Sequence, residues 1–209
     1  MAMEVKQDTR SRNQPACRRE EQQLQRLLPV LRAVAERDDP AKVFVIAIDG
    51  RAASGKSTMA EQLSRILDAA VVHTDDFFLP LEMRTEERLS TPGGNVHYER
   101  FREEVLPHLR ENAPFAYRRF ECSIKDFQGK RQVDAAHFRI VEGSYSLHPK
   151  LGRYADLTVF SEVDPEEQMR RILARNGPEW GEMFRTRWIP LEETYFSACG
   201  VRQRADLLV

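Results

Sequence analysis

Eight consecutive residues, Gly50-Arg51-Ala52-Ala53-Ser54-Gly55-Lys56-Ser57, fit the spacing G-x-x-x-x-G-K-[ST]. Phosphate oxygens need several backbone N–H donors turned toward one point, and glycines let the backbone curl that tightly. In such a loop Lys56 reaches the β- and γ-phosphates of a triphosphate, and the Ser57 hydroxyl ligates Mg²⁺. The expected cradle is Gly50, Ala52, Ala53, Ser54, Gly55, Lys56, Ser57 and Thr58. Farther along, Asp75 and Asp76 follow one short apolar run and Glu142 ends another. A carboxylate at a strand end can orient a hydroxyl or take its proton for attack on a γ-phosphoryl group. Asp75 is the candidate for that role, with a share in holding the metal. Glu142 is the candidate to hold Mg²⁺, directly or through water. Acids in these places can equally start a turn, cap a helix or end a strand. Five arginines stand against two acids in residues 170–187. Arg171 and Arg175, four apart, share one helix face, and their planar forks suit phosphate. A solvated helix face is the competing reading.

The elements that must position these residues alternate in type. VFVIAI (43–48) is a continuous apolar run, the pattern of a strand buried on both faces. STMAEQLSRIL (57–67) has helical periodicity directly after the loop. AAVV (69–72), FRIVEG (138–143), DLTVFSEV (156–163) and DLLV (206–209) read as further strands. Residues 97–112 and 165–176 read as helices, the second opened by Asp164 and Pro165. Residues 20–37 carry Leu24, Leu27, Leu28, Leu31 and Val34 at helical spacing, with Pro29 expected to kink or split the helix. Residues 115–134 read as irregular strands turning at Gln128–Gly129. SYSLHPKL reads as a short helix broken by Pro149. Asn176-Gly177-Pro178 should end the preceding helix and free 176–188 to act as a lid over the nucleotide. The alternation predicts an α/β fold with a mainly parallel sheet.

Composition narrows the classes. The chain has 209 residues, with 32 Lys and Arg against 33 Asp and Glu, for a net charge of −1. That balance disfavours a polyanion partner such as nucleic acid. The three cysteines, Cys17, Cys122 and Cys199, form no metal-binding pair and fit a reducing compartment. No apolar run is long enough to span a membrane. The first residues lack the apolar core of a secretory signal and read as a polar tail. A cytoplasmic protein is expected, without membrane or nucleic-acid partners, and with room for a homo-oligomer. Of the basic residues 26 are Arg and 6 Lys.

IDGRAASGKST, a strand ending in DDFF, VEGSY and the late RRILARNG segment, in this order, resemble the uridine kinase and phosphoribulokinase branch of P-loop kinases. The resemblance runs over residues 43–209. It implies a P-loop three-layer sandwich with a small antiparallel insertion and an Arg-rich lid. In that scheme residues 1–40 form a tail and helix and 41–209 the kinase domain. Residues 113–135 would be an acceptor-side hairpin and 170–188 the lid. The resemblance implies ATP and Mg²⁺ as the nucleotide pair, and a small hydroxylated acceptor. Asp75 matches the proposed base of the D-x-F-[FY] element, Ser57 and Glu142 the magnesium side, and Arg171 and Arg175 the lid arginines. Phe78, Tyr117 and His97 fall on the acceptor side, Tyr117 where uridine kinases place an aromatic against the nucleobase. Position 122, where those kinases carry a His, is Cys, and no acid stands at His97. A kinase of a nucleoside-like metabolite is expected. A regulatory nucleotide binder, or a kinase of another alcohol such as a sugar phosphate or pantothenate-like compound, remains open.

Overall fold

The computed structural model describes residues 15–37 and 39–209, with side chains from residue 25 onward, apart from residue 38. The polar tail expected at the start of the chain, Asp38 and the Cys17 side chain lie outside this range. In chain order the elements are α1 (Pro15–Ala35), β1 (Phe44–Gly50), α2 (Lys56–Leu67), β2 (Ala70–His73), α3 (Glu86–Ser90), α4 (Tyr98–Glu104), β3 (Phe115–Glu121), β4 (Asp126–Val133), β5 (Phe138–Glu142), β6 (Leu157–Ser161), α5 (Pro165–Met183), α6 (Ile189–Cys199), α7 (Val201–Arg204) and β7 (Leu207–Leu208).

Among the described residues five strands form one sheet in the order β2-β5-β1-β6-β7. Every pairing in it is parallel. β1 sits in the middle and is buried almost throughout. Its side chains alternate between two cores. Val45 and Ala47 join Val141, Phe160, Tyr195 and Phe196 on one face. Ile46 and Ile48 join Leu27, Val30, Met59, Leu63 and Ile140 on the other. A sheet covered on both faces accounts for the unbroken apolar reading of the strand. The result is a three-layer α/β sandwich.

Several local expectations are corrected. α1 runs continuously through Pro29. Pro29 removes one hydrogen bond, to the carbonyl of residue 25, without interrupting the helix. The 97–112 helix stops at Glu104 and becomes a single tighter turn at Leu106–His108, with Pro107 inside it. Pro149 starts the short turn Pro149–Leu151 rather than breaking a helix. The hairpin β3–β4 turns at Cys122–Lys125, and Gln128 and Gly129 lie inside β4. A register shift between Arg118 and Phe120 places Phe120 opposite Phe127 and interrupts the period-2 pattern. α5 kinks at Gly177, whose backbone angles are far from helical, but helix resumes at Pro178. It passes through a wider π-helical segment, Phe184–Trp188, into α6.

Candidate active site

The parallel sheet brings the C-terminal ends of β1, β2 and β5 to one edge, where ligand crevices of such sheets lie. The loop after β1 is a tight curl. Gly50 has φ 139°, Ala53 φ 58° and Gly55 φ 98°. A side chain at Gly50 would come within 2.2 Å of the Ser161 carbonyl oxygen, so the close approach of β6 requires glycine there. α2 begins at Lys56, with its first N–H groups facing the curl. The Lys56 ammonium folds back and donates to the carbonyls of Gly50 and Arg51, both at 2.8 Å.

The acidic residues divide into a free one and several engaged ones. His73 ends β2 opposite Glu142 in register. Glu142 accepts from Ser57 Oγ at 3.0 Å and lies 2.6 Å from His73 Nδ1. Asp75 and Asp76 occupy the turn Thr74–Phe77. Asp76 is buried and accepts from the Tyr117 hydroxyl at 2.9 Å and from Arg131 Nε at 2.6 Å. It is thereby the anchor of the β3–β4 hairpin. Fully buried Arg100 adds a second tie, donating to the Asp76 carbonyl at 2.9 Å. Asp75 is exposed and has no hydrogen-bond partner among the described residues. Desolvation by the protein beneath it, then the Glu142 carboxylate, raise its pKa above the usual carboxylate value, while Lys56 and His73 oppose the shift.

Gly143, at φ 128°, allows this packing. A side chain there would lie 2.1 Å from Thr74 Oγ1 and 3.4 Å from Asp75 Oδ1. Gly143→Ala should therefore destabilise the fold by about 1–3 kcal/mol, from backbone strain alone. Because the added methyl pushes on the turn that carries Asp75, turnover should fall further than unfolding explains. Thermal denaturation and kinetics on the same preparation test both.

Other expected residues are distributed as follows. Arg171 Nη1 donates to the Ala53 carbonyl at 3.1 Å, so it grips the back of the loop. Arg175 is exposed and donates to Asn176, away from the loop. Tyr117 is 1% exposed, its ring tilted against Phe77 inside the core, and does not present its ring to the crevice. His97 caps α4 and lies 3.2 Å from Glu99, the nearby acid of this segment. Phe78 is half-buried and bridges to Val96. Cys122 is exposed on the hairpin turn. Desolvation, then Asp75, push its thiol up to about 11.

Sequence reasoning did not find four residues that hold the loop. Asp49 is fully buried and accepts from the Gly50, Tyr145 and Leu147 amides and from the Tyr195 hydroxyl. Glu192, 6% exposed, accepts from the Ala52 amide at 2.9 Å and from Ser144 Oγ at 2.7 Å. Gln168 donates to the Ala52 carbonyl at 3.1 Å, and Arg26 donates to the Ser54 carbonyl at 2.8 Å. Burial raises the pKa of both carboxyls. The Glu192 signal was present as the first of two acids in WIPLEETYF, three and four residues before Tyr195 and Phe196 and so on their side of α6.

Ser57 and Glu142 place two oxygens side by side, and no group of three or more His, Cys, Asp or Glu among the described residues could hold a metal ion alone. That set fits Mg²⁺ arriving with a triphosphate, whose oxygens complete the coordination. No described helix is long and apolar enough to cross a membrane.

No family model matches the sequence. The chain is 25% identical over 153 residues to a chloroplastic uridine/cytidine kinase of Arabidopsis thaliana, covering 68% of this chain and only 31% of that relative's length. In structure it is similar to a possible uridine kinase from Bacillus stearothermophilus, with TM-score 0.69, 19% identity, and coverage of 90% of this chain and 98% of that one. It is also similar to a candidate fructose transport system kinase from a Silicibacter species, with TM-score 0.68, 23% identity, and coverage of 88% and 98%. A loop of this curl on the central strand, in a sheet of this order, is the P-loop kinase fold, and the chain resembles its uridine kinase-like branch.

Proposed function

We propose that the chain is an ATP-dependent kinase that transfers the γ-phosphoryl group to a hydroxyl of a small metabolite. The observation that carries this reading is the contrast between neighbours: Asp76 is locked in the hairpin anchor, while Asp75 stands free at the strand edge beside Lys56 and Glu142. A binder that only sensed nucleotide would have no use for an unpartnered carboxylate there. The loop amides and Lys56 would hold the triphosphate. Ser57 and Glu142 would hold Mg²⁺, which when bound neutralises phosphate charge. Asp75 would accept the acceptor's proton, and it is assigned to the acceptor more than to the metal. Arg171 would steady the loop, and Arg175 would reach the phosphates by a change of rotamer. Phe78, His97 and the hairpin with Tyr117 would wall the acceptor side. The cytoplasm is the expected setting.

A nucleoside-like acceptor follows from the resemblance to the uridine/cytidine kinase. A second reading, an acceptor that itself carries phosphate or carboxylate, is favoured by the arginines around the turn. Arg131 and Arg119 both face Asp76, and the Arg84 guanidinium stacks on Phe120 with no carboxylate partner among the described residues. The test incubates the protein with ATP, Mg²⁺ and two acceptor sets, neutral nucleosides and anionic alcohols such as sugar phosphates, and follows ADP formation. Acceptor-dependent ADP release is expected from one set. ATP binding with no turnover from any acceptor would leave the regulatory-binder reading instead.

A further inference from the structure

The two carboxylate oxygens of Glu142 each have their own donor. Oε2 accepts from Ser57 Oγ at 3.0 Å, and Oε1 lies 2.6 Å from His73 Nδ1. A carboxylate oxygen only accepts, so Nδ1 is the ring nitrogen that carries the proton. The two donors differ in stiffness. The Ser57 hydroxyl rotates about a single bond and is itself a candidate magnesium ligand. The imidazole is a rigid plane, and the terminal torsion of a glutamate has no sharp preference of its own. The His73 bond therefore sets the direction in which the second oxygen faces. Glu142 is 4% exposed, so little water competes for that bond.

The backbone of His73 is fixed as well as its ring. Its Cα pairs in register with that of Glu142 across β2 and β5. β2 is the edge of the sheet, and the His73 amide donates to the Tyr117 hydroxyl of β3 at 3.3 Å. That hydroxyl donates to Asp76 at 2.9 Å, and Asp76 accepts from Arg131 of β4 at 2.6 Å. The imidazole is thus held from two sides, by strand pairing with β5 and by the buried anchor of the hairpin. One unbroken series of polar contacts runs from Arg131 through Asp76, Tyr117, His73 and Glu142 to Ser57. A histidine that only neutralised a buried acid could take either oxygen. This one takes the oxygen away from Ser57 and leaves the other beside the hydroxyl, the arrangement by which partners behind a metal ligand aim it.

We propose that His73 is a positioning residue for the metal: its Nδ1–H holds Oε1 of Glu142 so that Oε2 stays beside Ser57 as a ready pair of oxygens for Mg²⁺. The proposal rests on the kinase reading only for the magnesium-side roles of Glu142 and Ser57. The test titrates Mn²⁺, which favours the same oxygen ligands, into the full chain loaded with a non-hydrolysable ATP analogue. Free Mn²⁺ is read by electron paramagnetic resonance. His73→Phe keeps a planar ring and removes the donor, and His73→Asn carries an amide nitrogen that can stand where Nδ1 does. His73→Val, suited to an edge strand, reads the same loss if the larger ring disturbs folding. Mn²⁺ affinity should fall about tenfold in His73→Phe and His73→Val, as for loss of a partner behind a metal ligand. His73→Asn should recover most of it. Affinity for the analogue in EDTA should be the same in every variant. Unchanged Mn²⁺ affinity in His73→Phe and His73→Val, or an equal loss in His73→Asn, would overturn the proposal. A parallel loss of analogue affinity in EDTA would overturn it too, by making His73 a prop of the whole loop. If Glu142→Gln leaves Mn²⁺ affinity intact, the magnesium-side assignment fails and takes the proposal with it, an outcome which that variant alone identifies. The assay needs neither acceptor nor turnover, so it is decided separately from the identity of the acceptor.

Discussion

Asp75→Asn should lower turnover by about 10²–10⁴-fold, the usual contribution of a positioned acid–base group, while ATP affinity stays nearly the same. Asparagine keeps the size of the side chain and cannot take a proton. Since Asp75 is exposed and unpartnered, the substitution should leave stability almost untouched. The pH dependence sharpens the expectation. The reactive form is the carboxylate, and its pKa is raised. Turnover should therefore fall as pH drops through a value above the ordinary aspartate range of about 3.9, and recover as pH rises. The variant's residual turnover should lack that acidic limb. Steady-state rates across pH, with separate calorimetric ATP titrations, measure both. Near-normal turnover in Asp75→Asn would remove the assigned base. The matching change at Asp76 is not equivalent, because that carboxylate holds Tyr117 and Arg131, and its loss would loosen the hairpin first.

Lys56→Ala should lose triphosphate affinity and turnover together, with kcat/KM down by about 10²–10³-fold or more. The ammonium now rests on two carbonyls of its own loop, 2.8 Å from each. Those contacts hold it at the mouth of the curl, while Arg26 and Arg171 are tied to the carbonyls of Ser54 and Ala53 and Arg51 is paired with Glu193. The contrast between the two variants separates roles: one loses binding and rate, the other rate alone. A Lys56→Ala protein that kept wild-type ATP affinity would remove the phosphate loop from the account.

The fold was legible in the sequence where burial is two-sided. VFVIAI and FRIV are apolar without alternation because helices cover both sheet faces, and the glycine-lysine spacing fixed the strand–loop–helix order. It was less legible where packing overrides local preference. Gln128-Gly129 carries turn residues, but pairing of Phe120 with Phe127 moved the turn to Cys122–Lys125. Pro29 stayed within a helix because α1 packs on the sheet through Leu27, Val30 and Val34 to either side of it. At the site, motif residues could be read because their chemistry depends on close spacing. The contacts of Asp49 with Tyr145, and of Gln168 and Glu192 with Ala52, span 96 residues or more, and Arg26 reaches Ser54 from α1 across 28, so no spacing rule encodes them. The Arg-over-Lys skew gains a structural account in part. Arg100 and Arg139 are fully buried forks satisfying backbone carbonyls, a task the single lysine ammonium performs less well.

The bend at Gly177 matters for how force travels through this molecule. Ala52 is held twice: its carbonyl takes Gln168 from α5, and its amide gives to Glu192 from α6. The stretch of helix between those two feet, with the bend near one end and the π-helical segment near the other, is a handle riveted at both ends to one residue of the phosphate loop. Such a handle does not swing independently of its mount. Any tilt of residues 178–188 has to be taken up at the bend and the wide turn, or else it pulls on Ala52 from two directions and changes the width of the curl.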